Sequence, residues 1–258
     1  MGRVEQRKLK FIGCEIIYRE ACRLAAMAPH QVDVQFLRKG LHSLETPDMV
    51  AAVQTAIDAV DAEAGYEAIL LGYARCNDGL VGVTARRIPL VVPRAHDCIT
   101  FFFGSRRAYK DYFDENPGTY YMTSGWAERN DSKAEELDQL AAPKKGVMEK
   151  LGLNVSHEQL VARYGKDNAD FIVESLGDWK KNYSKFLYLR MGVGDETRFI
   201  EWTRQEARCR GWQFELRDGD WTLLEKLFFG RWDEDFVIVP PGGRVIARND
   251  ERVLDGSA

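Results

Sequence analysis

The sequence predicts an α/β protein in which helices flank parallel sheets. Three observations predict it. The runs Ala68-Ile69-Leu70-Leu71-Gly72-Tyr73 and Pro89-Leu90-Val91-Val92-Pro93 lack polar alternation. They read as strands buried on both faces, as in parallel sheets. Amphipathic stretches at helical spacing separate such runs. The order β-α-β-α-β occurs twice with a polar helical stretch between, and strands alternating with helices imply right-handed crossovers between parallel neighbours.

Each element has its own signal. Residues 9–14 make the first strand, which ends at Cys14. Ile16, Ile17, Ala21, Leu24 and Ala25 fall at helical spacing and predict a helix over about 15–28, stopped by Pro29. Val32 to Leu37 alternates like a strand. Thr46-Pro47-Asp48 opens a second helix, with Pro at the first helical position, and Gly65 closes it. The two buried strands follow, separated by the Gly-containing segment 74–87. After the second come His96-Asp97-Cys98, the apolar stretch Ile99 to Phe103, a helix ended by Asn116-Pro117-Gly118, and a strand at Thr119 to Thr123. Residues 127–184 read as polar and mostly helical. Strands return at Phe186 to Leu189, Gln213 to Leu216 and Phe236 to Val239, with helices at about 196–210 and 220–229. The tail after Arg244 is polar and reads as frayed. This order predicts two Rossmann-like lobes with a cleft between them: an N-terminal lobe over 1–126, a helical connection over 127–184 and a C-terminal lobe over 185–258.

Composition narrows the function classes. The 258 residues are 45% hydrophobic, which supports a core, and the net charge of −4 comes from interspersed signs. With no basic stripe, nucleic acid is not an expected partner. No apolar run reaches the roughly 20 residues that a membrane helix needs. The segment Met1 to Arg7 lacks the apolar core of a signal peptide. The expected location is therefore cytoplasmic, without a membrane partner. Thiols stay reduced there, so the five cysteines speak of metal, catalysis or burial rather than disulfides.

The sharpest functional signal is positional. Cys14, Cys76 and the pair His96 and Cys98 each follow a predicted parallel strand, and open α/β sheets bind ligands along that edge. Thiolate and imidazole suit zinc, with three or four protein ligands; an iron–sulfur centre takes the same donors. His96 and Cys98 share a face if the chain is extended. Burial of small residues at strand ends is the competing reading of the thiols. A metal-free reading makes Cys98 or Cys76 a nucleophile with His96 as base. Glu15 and Asp97 are candidate catalytic carboxylates: Glu15 as a general base at a helix start, Asp97 as the group that orients His96. Arg75 and Arg94 are candidate anion binders at the same edge, and the amides around Gly79 could cradle an anion at a helix start. Trp126, with Tyr120 and Tyr121, is a candidate pocket wall. Cys22 and Cys209 fall inside helices and read as packing residues, and His30, His42 and His157 as surface residues. No Gly-x-Gly-x-x-Gly, phosphate-loop or Gly-x-Ser-x-Gly motif occurs, which weakens dehydrogenase, triphosphatase and serine-hydrolase readings.

Several of these segments carry a family resemblance. Gly13-Cys14-Glu15 with Tyr18-Arg19-Glu20, Ile69 to Tyr73 with Cys76 and Gly79 to Gly82, and Pro93 to Thr100 with Gly104-Ser105 resemble the family catalogued as domain of unknown function 1638 (DUF1638). So do Pro117 to Tyr121, Gly230 to Asp233 with Asp235-Phe236, and Val239 to Gly242, so that the resemblance covers nearly the whole chain. It implies a bacterial or archaeal soluble protein whose family accompanies corrinoid methyltransferases in methylotrophic gene sets. The His-x-Cys element also resembles that of zinc-dependent methyltransferases that pass a methyl group from a corrinoid to a bound thiol. Those enzymes are (β/α)8 barrels, and this chain lacks eight βα units, so that likeness is one of chemistry alone. The implied function is a zinc-thiolate enzyme of one-carbon metabolism acting on a small-molecule substrate, with a corrinoid protein as partner. The alternatives are a metal, iron–sulfur or corrinoid carrier or assembly protein, and a cysteine-nucleophile enzyme.

Overall fold

The computed structural model describes residues 6–44, 46–76, 78–128, 157–170 and 182–257. The chain builds a mixed α/β fold with two parallel sheets and a terminal hairpin. The first half contributes β1 (Lys8–Cys14), α1 (Tyr18–Met27), β2 (Gln31–Leu37), α2 (Thr46–Asp58), β3 (Ala68–Gly72), β4 (Leu90–Pro93), α3 (Arg106–Glu115), β5 (Thr119–Met122) and α4 (Ser124–Glu128). Then follow α5 (His157–Tyr164), β6 (Lys185–Arg190), α6 (Thr197–Arg210), β7 (Gln213–Asp218), α7 (Thr222–Phe228), β8 (Phe236–Val239), β9 (Arg244–Ala247) and β10 (Leu254–Ser257). Most of segment 127–184 lies outside the described residues.

The larger sheet has the order β2-β1-β3-β4-β8. Its first four strands are parallel, so β1, β3 and β4 all end on one edge. The expected run of parallel strands breaks at β8, which lies antiparallel against β4. The second sheet, β5-β6-β7, is parallel throughout. The sheets thus interleave along the chain: β5 precedes the partners it joins, and β8 returns to the first sheet.

Two-sided burial explains the continuous apolar runs. Every residue of β3 and β4 is buried. One face of the first sheet (Leu9, Phe11, Leu70, Val91) packs with α1, with α7 and with Leu187 and Leu189 of the second sheet. The other face (Ile12, Leu71, Val92, Val237) packs against Met49, Val53 and Ile57 of α2 and against the hairpin residues Val245 and Leu254. The far side of the second sheet, with Phe186 and Tyr188, meets Phe199 and Ala207 of α6. At the strand ends Gly13 and Gly72 are register partners. A Cβ on either would stand 2.3 Å from the Phe11 ring, so the glycines let one aromatic ring cover both strands.

The structure corrects four expectations. The helix over 15–28 begins as a 3₁₀ turn, Glu15–Ile17, before α1. The apolar stretch after Asp97 forms a second 3₁₀ turn, Cys98–Phe102, so His96-Asp97-Cys98 does not run on as an extended segment. The tail after Arg244 is ordered, because β9 and β10 pair and Leu254 is fully buried. Among the histidines, His30 is buried, with Nε2 3.2 Å from the carbonyl oxygen of Phe229; the side chains of His42 and His157 lie outside those described. No helix among the described residues is long and apolar enough to cross a membrane.

Candidate thiol site

The sheet edge brings three of the predicted residues together. Cys14 is the last residue of β1. Cys76 lies four residues past β3, and its amide bonds the carbonyl of His96 (3.0 Å), while Arg75 N bonds Ala95 O (2.9 Å). These two bonds carry the parallel pairing past the strand ends and bring Cys76 beside Cys98. The two thiols are electrostatic neighbours, and each shifts the other's ionisation. Cys14 feels the charge of Cys76, and Cys98 that of Cys14. All three cysteines are partly exposed.

Cys76 has the most constrained surroundings. Its backbone sits at φ +35, a left-handed conformation uncommon in a residue with a Cβ. The neighbouring Cys98 thiol, with the amides of Ala74 and Cys98, holds the Cys76 thiol below the ordinary cysteine range despite burial. Cys98 moves the opposite way, well above that range, because its proton is shared with Cys76 and because it is buried. Burial also pushes the Cys14 thiol up to about 12. One thiolate is therefore favoured among the three, on Cys76.

Tyr73, the residue after β3, was not singled out by the sequence. Its ring is buried, and its hydroxyl has no hydrogen-bond partner among the described residues. Burial and the neighbouring Cys14 and Cys76 raise its ionisation far above normal, so it stays a neutral donor beside the thiols. Its place at a buried strand's C-terminal end was the available signal.

The other candidates are positioned as follows. Asp97 caps the 3₁₀ turn at Cys98: its Oδ1 accepts from Ile99 N at 2.9 Å, and its Oδ2 accepts from Tyr109 Oη at 2.7 Å. Burial raises its ionisation, and the Tyr109 bond opposes the rise. The His96 side chain is exposed, although its charge reaches Asp97. The turn starting at Cys98 removes the shared face that an extended His96-Asp97-Cys98 would have. Glu15 is a charge neighbour of Cys14 and accepts from Lys39 N at 2.9 Å. Arg75 pairs with Asp78 and donates to the carbonyl of Arg248 (3.1 Å). Arg94 donates to the carbonyls of Phe236 and Leu254 and pairs with Asp255. Gly79 gives its amide to Cys76 O in a turn and packs on the Met49 sulfur, where a Cβ would stand 2.1 Å away. Trp126 is half-buried with Lys39 over its ring. Cys22 is partly buried, whereas Cys209, expected in packing, is exposed.

No group of three or more His, Cys, Asp and Glu side chains among the described residues is arranged to hold a metal ion. The unpartnered Tyr73 hydroxyl leaves a hydrogen bond to be made beside the thiols.

A second buried ionisable cluster lies under α1. Glu20 is fully buried and Glu196 is 5% exposed. Glu196 accepts from Tyr188 Oη (3.0 Å) and from the amides of Gly192 (2.7 Å) and Val193 (3.3 Å). Glu20 receives a long bond from Ser124 Oγ (3.5 Å), and its Oε2 has no partner among the described residues. Burial, with the neighbouring charge of Glu196, raises the Glu20 carboxyl to about 7. Ser124 starts α4, which sits so close to the first 3₁₀ turn that a Cβ on Gly125 would stand 1.7 Å from Ile16 O.

No curated protein and no solved structure matches the chain. One family model matches, that of a protein of unknown function (DUF1638), over residues 36–228. The match contains Cys76, His96 and Cys98 and begins after Cys14. It spans most of the chain, and the protein therefore belongs to the DUF1638 family.

Proposed function

We propose that the protein is a cysteine-dependent enzyme in which Cys76 Sγ is the nucleophile toward a small electrophilic substrate. The observation that carries this reading is the setting of Cys76, in a left-handed turn pinned by its amide to His96, with its thiol lowered by Cys98 and the neighbouring amides. Thiolate, not thiol, is the attacking species, and donors aimed at the sulfur favour it. The Tyr73 hydroxyl is placed to bond a polar group of the substrate, and Cys98 to hold the thiolate before attack. The test is alkylation by iodoacetamide at neutral pH, mapped by mass spectrometry. Cys76 is expected to react at least about tenfold faster than Cys14; uniform slow labelling of all the cysteines would sink the reading.

A second reading rests on a different observation, the electrostatic contact of Cys14 with the other two thiols. In it Cys14, Cys76 and Cys98 bind a soft metal, zinc or an iron–sulfur centre, with His96 as a further ligand. The chemistry zinc supplies among thiolates is to hold an acceptor thiol in its ionised form, which suits methyl transfer in one-carbon metabolism linked to a corrinoid protein. Elemental analysis of protein purified without chelator separates the two readings. About one equivalent of metal, lost in Cys98→Ser, supports the metal site. Below about a tenth of an equivalent, the nucleophile reading stands alone.

A further inference from the structure

The unpaired oxygen of Glu20 points to a ligand away from the thiols. We propose that Glu20, Glu196 and Ser124 bind one hard divalent cation, calcium or magnesium, between α1 and the carboxyl edge of the second sheet. The site uses none of the cysteines. It needs two carboxylates and a hydroxyl, a smaller set than the groups of three His, Cys, Asp or Glu that are absent among the described residues.

Three observations carry it. The first is the orphaned atom. Glu20 is 0% exposed, its Oε1 is 3.5 Å from Ser124 Oγ, and its Oε2 has no partner among the described residues. A buried polar atom without a partner is rare, and a bound ion is among the ordinary reasons for one. The second is placement. Met122 of β5 and Tyr188 of β6 are register partners. Ser124, two residues past Met122, and the loop from Gly192 to Glu196 follow these strands at their carboxyl ends, where α/β sheets hold ligands. Tyr188 Oη donates to Glu196 Oε2 (3.0 Å), which sets Glu196 at that edge, and the charge of Glu196 reaches Glu20. The third is that the two arginines nearest Glu20 in sequence bond elsewhere. Arg19 makes a bidentate pair with Glu128 of α4 (2.6 and 2.7 Å), while Arg23 reaches Gly192 O (3.5 Å) and lies over the Trp221 ring.

The donors fix the kind of ion. All are oxygens, which suit hard cations and not the soft ions that thiolates take. Glu20 offers both carboxylate oxygens, and Ser124 Oγ lies beside one of them. Glu196 Oε1 already accepts from the amides of Gly192 and Val193, whereas Oε2 accepts from Tyr188 and keeps a lone pair. Two buried carboxylates carry two negative charges, which one divalent ion offsets.

The experiment uses the full-length chain, stripped with chelator, desalted and held at about pH 8, above the value of about 7 to which burial raises Glu20. Calcium chloride or magnesium chloride is then added at millimolar concentration. Equilibrium dialysis measures the bound ion, and urea titration measures stability. The wild type is expected to take up about one equivalent of one of the two ions and to gain about 1 M in urea midpoint at saturation. Glu20→Gln keeps the shape of the side chain and removes its charge. It is expected to bind less than about a tenth as much and to gain nothing in midpoint. Cys98→Ser is expected to behave as the wild type, which separates this ion from one held by the thiols. If neither ion binds the wild type and raises its midpoint, or if Glu20→Gln takes up as much, the proposal is overturned. Glu196→Gln supplies the same comparison should Glu20→Gln fail to fold.

Discussion

Cys76 is partly buried and Glu20 fully buried, and the ionisation of the two shifts in opposite directions. The Cys98 thiol and the amides of Ala74 and Cys98 lower that of Cys76. Around Glu20 there is one long bond and one unpartnered oxygen, and the neutral form is favoured. Burial penalises both ions, so the donors decide the sign. The two carboxylates also differ in the hydrogen bonds they accept. Glu196 has three donors at 2.7–3.3 Å, while Glu20, facing it, has almost none. A low-dielectric interior admits a charge where hydrogen bonds replace the lost water.

The most forceful way to break the comparison is to remove the Glu20 charge. Its folded-state carboxyl lies near 7, against 4.5 for a glutamate in water. The folded protein therefore holds a proton that the unfolded chain has released. The stability it contributes is complete below about pH 4.5, declines as pH rises, and is gone above about pH 7. The shift corresponds to about 3 kcal/mol. Glu20→Gln should lose this dependence, so its stability advantage over wild type should grow by about that amount between pH 4.5 and 7.5 in urea titrations. A constant difference across that range would refute the assignment.

A smaller effect is expected from Gly125→Ala. The added methyl meets Ile16 O, so α4 must move off the first 3₁₀ turn. The expected loss is roughly 2 kcal/mol. As Ser124 withdraws and water reaches Glu20, the decline in stability with pH should shift to lower pH; an unmoved midpoint would show that α4 does not shield the carboxyl.

Removing the donor from Cys76 sharpens the comparison from the other side. Cys98→Ala should raise the Cys76 thiol, because it removes the largest cause that lowers it. The pH–rate profile of iodoacetamide labelling should move to higher pH, and labelling at neutral pH should slow. An unchanged profile would assign the low value to the amides alone. Cys209→Ser, at an exposed thiol, serves as the reference substitution, with a change below about 0.5 kcal/mol in the same denaturation assay.

The strands were legible where burial is two-sided. Ala68 to Gly72 and Leu90 to Pro93 have no polar face to present, and their apolar runs say so directly. The thiols were legible as a group because each follows a strand of one parallel sheet. What the local pattern did not carry was the direction of side chains past the strand ends. The turn starting at Cys98 is fixed by Asp97, and Asp97 by Tyr109, twelve residues away on α3. That contact decides that Cys98 meets Cys76 while His96 faces solvent. The hairpin was hidden for a similar reason. Its four-residue strands are weak alone, and they are held by loop carbonyls and arginines more than a hundred residues distant.

Those long contacts set an order of assembly. Arg75 and Arg94, which flank the thiols in sequence, reach the carbonyls of Arg248 and Leu254, and Val83 and Val245 exchange a main-chain bond nearby. Both thiol-bearing loops are thus fastened by a segment that the ribosome makes more than 150 residues later, 173 after Arg75 and 160 after Arg94. A nascent chain that has already released β1, β3 and β4 carries three thiols without their clamp. The window between synthesis of Cys98 and docking of β9 and β10 is therefore when these sulfurs are most open to stray oxidation or to loading with a cofactor.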